Sequence, residues 1–335
     1  MPRKARIDAP GALQHIIIRG IERKKIYRDA KDKNVFLKRF GKVISESSTA
    51  CYAWALMDNH AHLLLRTGAT PIATVMRRVL TGYAQYFNRR YKRHGQLFQN
   101  RYKSILCEED TYFLELVRYI HLNPVRAGMV KSLKTLNGYR FSGHAVLMGK
   151  RDREWQDRKY VLRHFAQSEV DAVKGYQAFV RKGLDQGKRP ELTGGGLIRS
   201  AGGWAAVKTL RSVGARIKGD ERILGSGEFV ENALKLANEA FERRTHLGMQ
   251  GITLVMLIKK VADYHKVDPV DLSTNSKVAQ VSKARAVLCY LCVREFGYSC
   301  AEMARRLNVS PSTVSKAVVR GREKFEDEML EEIIE

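Results

Sequence analysis

Acidic residues are scarce in this chain relative to basic ones. Its 335 residues hold 35 Asp and Glu against 60 Lys and Arg, a formal net charge of +25. The deficit is concentrated, with 27 basic and only 10 acidic residues between positions 1 and 149. Such a field favours an extended polyanion as partner. Nucleic acid fits better than an anionic membrane surface, because no long basic amphipathic helix with a clean apolar face stands out. Long apolar runs are also missing: no stretch of about 18 apolar residues occurs, which excludes a membrane-spanning helix. The charged start "MPRKARIDAPG" has no apolar run behind it and does not read as a secretory signal. Cysteine is sparse. Cys51, Cys107, Cys289, Cys292 and Cys300 are odd in number and scattered, which argues against a disulfide framework and for a reducing cytoplasm. Cys289 and Cys292 form a CxxC with no second pair, and within "ARAVLCYLCVREF" they read as small core residues of a buried helix.

What is present falls into three regions and a tail. Up to about residue 149, "ALQHIIIRG" reads as a strand and "DKNVFLKRFGKVISES" as a helix, with apolar spacing at Val35, Phe36, Phe40, Val43 and Ile44. "CYAWALM" and "HAHLLLRT" read as two strands around the turn residues Asp58 and Asn59. Thr70 and Pro71 open a helix that runs to Tyr91. "QLFQNRYKSILC" reads as a further strand, and Asp110 as the cap of a helix that stops before Pro124. The order βαββαβ plus one helix predicts an α+β fold, a ferredoxin-like split βαβ sheet. Residues 150–228 read as an all-α linker with the glycine-rich stretch "LTGGGLIRSAGGWAAVKTLR", which contains no GxxxxGK[ST] phosphate loop. Residues 229–325 read as helical throughout, and 326–335 as an acidic tail.

The stretch "MDNHAHLLLRT" carries the first chemical signal. Period two places His60 and His62 on one strand face and Ala61 and Leu63 on the other. Two adjacent imidazoles are either half of a metal site or an unusual way to fill a core. In "YFLELVRYIHLNPVRAGMV", Tyr119 and Asn123 are four apart and share a helix face. The amide oxygen of Asn123 is a hard ligand suited to Mg²⁺ or Mn²⁺, and a phenol beside a metal is a potential nucleophile. Tyr112, seven residues earlier, is the alternative nucleophile, without a ligand-type residue four positions on. His121 lies off that face and is expected to be exposed, while His15 reads either as a packed residue or as a neighbour of the site. "GYAQYFNRRYKRHGQLFQNRYK" interleaves Tyr83, Tyr86, Phe87, Tyr91 and Phe98 with cations, a pattern suited to single strands or to core rings beside solvated cations, and a mixture of the two is expected. Arg89, Arg90, Arg101, Lys103 and Arg126 are the DNA-contact candidates of this region.

"MDNHAHLLL" followed by "RYIHLNPVRAG" resembles the single-tyrosine HUH transposases of the IS200-like family, above all the REP-associated tyrosine transposases. "PGALQHIIIRGIERKKIYRD", "GQLFQNRYKSILCEEDTYFLELVRYIHLNPVRAGMV" and "GYRFSGHAVLMG" extend the resemblance over roughly residues 1–149. It implies that His60 and His62 bind a divalent metal, that Tyr119 attacks DNA, and that Asn123 completes the metal site. The middle position of the HUH motif is bulky in that family, and Ala61 is a small version that points away from the metal. The resemblance further implies single-stranded DNA beside a hairpin as substrate, a 5′-phosphotyrosine intermediate, and Mg²⁺ or Mn²⁺ as the ion.

A second module lies in "YSCAEMARRLNVSPSTVSKAVVRGREKF", which has the pattern of a helix-turn-helix. Ala304, Asn308 and Val314 take its small, turn and core positions, Ser310 caps the second helix and Pro311 opens it. Val314, Ala317 and Val318 would then pack inward, and Ser312, Thr313, Lys316 and Arg320 would face duplex DNA. The stretch from "ITLVMLIKKVADYHKVDPVDL" through "SKARAVLCYLCVREFGYS" resembles the DNA-binding domain of the replication initiator DnaA, with Arg285 at a basic position of that pattern. The Asp-His pair by which DnaA reads its box is absent from "SPSTV", so DNA binding carries over and box specificity does not. Two classes of function remain open. One is a DNA transposase with a fused helix-turn-helix, or an HUH nickase of the replication-initiator type. The other is a catalytically silent regulator that grips hairpins and duplex. The presence of all four site residues favours the enzyme, and the lack of a helicase-like P-loop disfavours the nickase. Monomer and dimer stay equally open.

Overall fold

Apolar runs buried on both faces build the sheet where the sequence predicts it. The structure, a computed structural model, describes residues 7–9, 11–68, 70–187, 189, 192, 220, 222–236, 253–274, 276, 278–296, 298, 300–325, 329 and 332–333. They divide into two units, one of residues 1–44, 50–67 and 76–234, the other of 45–49, 68–75 and 235–335. In the first unit, β1 (Leu13–Arg19), α1 (Ala30–Ser45), β2 (Ala50–Leu56), β3 (His60–Arg66), α2 (Ile72–Arg90), β4 (Lys103–Cys107) and α3 (Glu109–Arg126) follow in the expected order. The strands pair as β2-β3-β1-β4, all antiparallel. That is the split βαβ arrangement of an α+β domain. A two-residue β5 (Ile223–Leu224) adds in parallel to β4.

Three local expectations need correction. "QLFQNRYKSILC" forms a strand only from Lys103, because upstream the chain is tied to the end of β1 instead of a ladder: Ile21 N–H donates to Leu97 O and Gln99 N–H to Arg19 O. The helix α3 begins at Glu109, with Glu108 as N-cap and Asp110 inside its first turn. It also passes through Pro124. The missing proline donor costs one bond, but Ala127 N–H still reaches Asn123 O at 2.8 Å, and the helix ends only where Gly128 turns left-handed (φ 68).

The segment read as a linker contributes to the first unit's core. Val161 and Leu162 from the helix Arg158–Leu162, and Ala172, Tyr176 and Val180 from the helix Glu169–Arg181, join the same buried cluster as Leu116, Val117 and Ile120 of α3. Their four-residue spacing in "DAVKGYQAFVRKGL" is an amphipathic stripe that needs a partner. It finds one in α3, and it buries His121 completely, contrary to the expected exposure. His144 Nε2 pairs with Asn137 Oδ1 at 2.9 Å, so its N–H lies there and its Nδ1 accepts from the Tyr176 hydroxyl at 2.6 Å. Tyr176 in turn accepts from His121 Nδ1 at 2.8 Å. Burial holds both imidazoles below the ordinary histidine range, His144 at about 3, so the chain of bonds is uncharged at neutral pH. The glycine-rich stretch after Leu192 and most of the acidic tail lie outside the described residues.

The second unit is helical. Leu254–Tyr264, Ala279–Arg294, Cys300–Arg306 and Pro311–Arg322 surround a core of Leu257, Val287, Leu291, Met303, Val314 and Val318. Cys289 and Cys292 sit in that core as expected, and all five cysteines are free and buried. Among the described residues no helix is long and apolar enough to cross a membrane.

Replacing Tyr176 by Phe tests the buried bond chain. The cavity stays filled, but an acceptor on His144 and a donor on His121 lose their partner, a cost of about 1–3 kcal/mol. Denaturant unfolding at neutral pH should show a lower midpoint with unchanged slope.

Candidate active site and DNA contacts

The register of β1 on β3 aligns the site. Arg19 opposes His60 and Ile17 opposes His62, so His15, two residues back on the same face, is diagonal to His62. His15 Nε2 and His62 Nδ1 are 2.9 Å apart, and both rings are buried. His15 is thus both a packed residue and a neighbour of the site. The ring of Tyr119 reaches the same place from α3, at 5.7 Å from the His62 centroid and 6.1 Å from that of His15. His60 lies 5.3 Å from His62, half-buried. Ala61 faces away and is fully buried, as its small size permits.

Two hydrogen bonds settle what these groups offer. His60 Nδ1 is 2.6 Å from Asn59 Oδ1. An amide oxygen only accepts, so the proton is on Nδ1 and the lone pair on Nε2. Asn59 Nδ2 donates to Arg23 O at 3.0 Å, which fixes the amide the other way round. Asn59, read from sequence as a turn residue only, therefore orients an imidazole; its place directly before the first histidine was the available signal. On α3, Asn123 Nδ2 donates to Tyr119 O at 3.0 Å, engaging the amide nitrogen and leaving the oxygen as the ligand-type end. Burial, with Arg19 adding to it, lowers His60 to about 4. Burial first, then His15, His60 and Arg19, push His62 well below the histidine range. Both are neutral near pH 7, the form that can bind a metal. Among the described residues no group of three or more His, Cys, Asp or Glu is placed to hold an ion. The histidine pair would need oxygen donors from outside that set. Tyr119 stands beside it, and Asn123 lies one turn farther along α3.

The DNA-contact candidates are not alike. Arg89, Arg101 and Lys103 are exposed. Arg90 is not at liberty: Asp29 and the fully buried Asp32 both pair with it at 2.5 Å. The aromatic run turns mostly inward, with Tyr83 and Phe87 buried and the Tyr86 and Tyr91 hydroxyls donating to Asp32 at 3.1 and 2.8 Å. Tyr83 and Phe87 serve the core, while Tyr86, Tyr91 and Phe98 are half-buried. Arg126 places its guanidinium 5.4 Å from the Tyr119 ring centroid and donates to Gly183 O. In the second unit, Asn308 has φ 52, and Ser310 caps its helix by accepting from Thr313 N–H at 3.1 Å. Thr313, Lys316 and Arg320 are exposed and Ser312 is half-buried, while Val314, Ala317 and Val318 are buried as expected. Arg285 departs from its expected role. It donates to the carbonyls of Asp271, Leu272, Thr274 and Ser276, at 2.8 to 3.2 Å, and so ties down a loop.

Residues 11–123 match the family model described as "Transposase IS200 like", and residues 255–320 match that of the "Bacterial dnaA protein helix-turn-helix". Among solved structures, one described as "Structure of the REP associates tyrosine transposase bound to a REP hairpin" is similar at 17% identity. It covers 46% of this chain and 91% of that chain, with a TM-score of 0.34. No curated protein matches the chain.

Asn59→Leu frees the His60 ring and should weaken Mn²⁺ binding by about 10- to 100-fold in calorimetry. Because the imidazoles are already neutral, wild-type affinity should hold from neutral pH down to mildly acid pH and fall only as pH approaches the His60 value of about 4. In the second unit, Lys316→Ala should weaken duplex binding without lowering the melting temperature. Arg285→Ala should lower the melting temperature, by the loss of about 2–3 kcal/mol of charge-assisted bonds.

Proposed function

We propose that the chain is a DNA transposase that cuts and rejoins single-stranded DNA with Tyr119 as nucleophile, while its C-terminal helix-turn-helix binds duplex DNA. The observation that carries this reading is the Tyr119 ring 5.7 Å from His62, on a strand face shared with His60, inside the IS200-like stretch. The donor set suits a divalent ion, with the two neutral imidazoles of His60 and His62 and the hard amide oxygen of Asn123. Mg²⁺ or Mn²⁺ held there would polarise the scissile phosphate and offset its developing charge. The rest is done by the chain itself. The Tyr119 oxygen attacks phosphorus as its proton leaves, the bond to the 3′ oxygen breaks, and that oxygen departs as a 3′-OH. Arg126, over the ring, sets positive charge where phenolate and phosphate meet. Tyrosine then holds a 5′-phosphate, and attack by another 3′-OH restores both a phosphodiester and a free phenol. One ester replaces another at each step, so no nucleotide cofactor is required. Five free thiols suit the cytoplasm as the place of work.

The test is a denaturing gel of labelled single-stranded hairpin DNA, incubated with protein and Mg²⁺ or Mn²⁺. A covalent adduct is expected with wild type and none with Tyr119→Phe. His60→Ala and His62→Ala should each abolish the adduct, and Asn123→Ala should reduce it. Tight hairpin binding with no adduct under any metal would mean a silent regulator. An adduct that survives Tyr119→Phe but not Tyr112→Phe would move the nucleophile.

A further inference from the structure

The loop between β1 and α1 carries a cluster of cations that the catalytic reading does not use. Lys24, Lys25 and Arg28 from this loop, with Arg93 from beyond α2, line a cavity of about 400 Å³ over Phe87 and Leu97. That volume lies in the range of ligand pockets, about 300–1,000 Å³. Among the described residues no acidic one lines it.

The way the two arginines are held is the telling point. Each guanidinium carbon is 5.7 Å from the Phe87 ring centroid, and that of Arg28 is also 4.2 Å from the Tyr91 centroid. Among the described residues neither has a carboxylate within ion-pair distance, in contrast to Arg90 with its two aspartates. Arg93 Nη1 donates to Asn88 Oδ1 at 3.3 Å, a neutral partner. A guanidinium resting on a ring keeps its fork of donors for an incoming phosphate. Lys24 and Lys25 each lie near one acid outside the lining, Glu22 at 2.5 Å and Asp58 at 3.7 Å, and both lysines remain exposed.

The cleft is also fastened to the catalytic turn. Glu22 and Arg23 are both left-handed (φ 52 and 59), a conformation non-glycine residues seldom adopt. It is held by Asn59 Nδ2 on Arg23 O, by Gly20 N–H on Asn59 O, and by Ile26 and Tyr27 N–H on Asp58 O. Ile21 N–H on Leu97 O closes the other wall. The loop lining the cleft is thus bonded to the turn that immediately precedes His60.

We infer that this cleft binds one phosphodiester unit of an unpaired DNA strand, its phosphate among Lys24, Lys25, Arg28 and Arg93 and its sugar against the apolar floor. The inference rests on the single-strand reading above and adds a gripping subsite separate from Tyr119. It is tested by binding in the full chain carrying Tyr119→Phe, so that the signal does not depend on whether the tyrosine attacks. A short fluorescent oligo-dT is titrated over a range of salt. Adding Arg28→Gln and Arg93→Gln together should lower affinity roughly 25-fold at about 0.1 M salt and flatten the log–log salt slope by about 1.4, since each lost contact to a single strand removes about 0.7. Lys24→Gln with Lys25→Gln, on exposed side chains that the fold does not need, should move both readings the same way. Unchanged affinity and slope in both pairs would overturn the assignment. So would inorganic phosphate or dTMP binding as tightly as the oligonucleotide with loss in the same variants, which would mark a small-anion site. A missing adduct in wild type would sink the transposase reading by a different measurement.

Discussion

The antiparallel ladder between β1 and β3 is the constraint on which the candidate site depends. It sets Arg19 opposite His60 and Ile17 opposite His62, and so fixes which face each side chain takes. A slip of one residue would turn both histidines to the far side of the sheet and bring Ala61 and Leu63 to face Tyr119. The slip is opposed on both faces at once, because Ala61, Leu63 and Leu65 are as thoroughly buried as Leu64. Core packing therefore sets the site's alignment. No bond within the site has to do so.

That placement has an electrostatic consequence. A histidine pair on an exposed strand would titrate near its ordinary value and lose metal affinity in weak acid. Here the sheet and α3 take His62 almost wholly out of water, and His15 and His60 stand beside it. Burial opposes protonation, and a second positive imidazole opposes it further. The orientation of His60 comes from a different source, the amide of Asn59, whose own rotation is set by Arg23 O. The left-handed backbone at Glu22 and Arg23, costly on its own, thereby acts on the ring at one remove.

Much of this was legible in the sequence, and the failures share a cause. Period two in "HAHLLL" and the four-residue step from Tyr119 to Asn123 are local signals, and each held. So did the turn at Asn308 and the cap at Ser310, whose partners lie within a few residues. What local pattern could not supply was the identity of distant partners. His121 looked exposed because its cover, Tyr176, is 55 residues away. Residues 158–181 looked like a linker because an amphipathic stripe does not name the surface it will meet. Pro124 looked like a stop because the bonds that carry the helix past it are made by residues after it.

Arginine shows the same limit most sharply, and with consequences for function. A net charge of +25 says that the chain will meet a polyanion, but not which cations will touch it. The structure sorts them by what already occupies their donors. Arg90 is neutralised by two carboxylates, one of them fully buried, so drawing it toward a phosphate would leave an uncompensated buried charge. Arg285 keeps its charge but has given its N–H groups to four carbonyls of one loop. Arg28, Arg93 and Arg126 rest on aromatic rings, which attract the cation without neutralising it. This last arrangement holds a guanidinium in place and still leaves it positive, and among the described residues Arg28 and Arg93 have no carboxylate within ion-pair distance. On the proposed reading, Arg28 and Arg93 beside Phe87 are the cations of this region equipped to meet a single strand, as the exposed Lys316 and Arg320 are to meet duplex. On that reading Phe87 and Tyr91 serve less as platforms for bases than as supports that keep Arg28 and Arg93 turned to a phosphate.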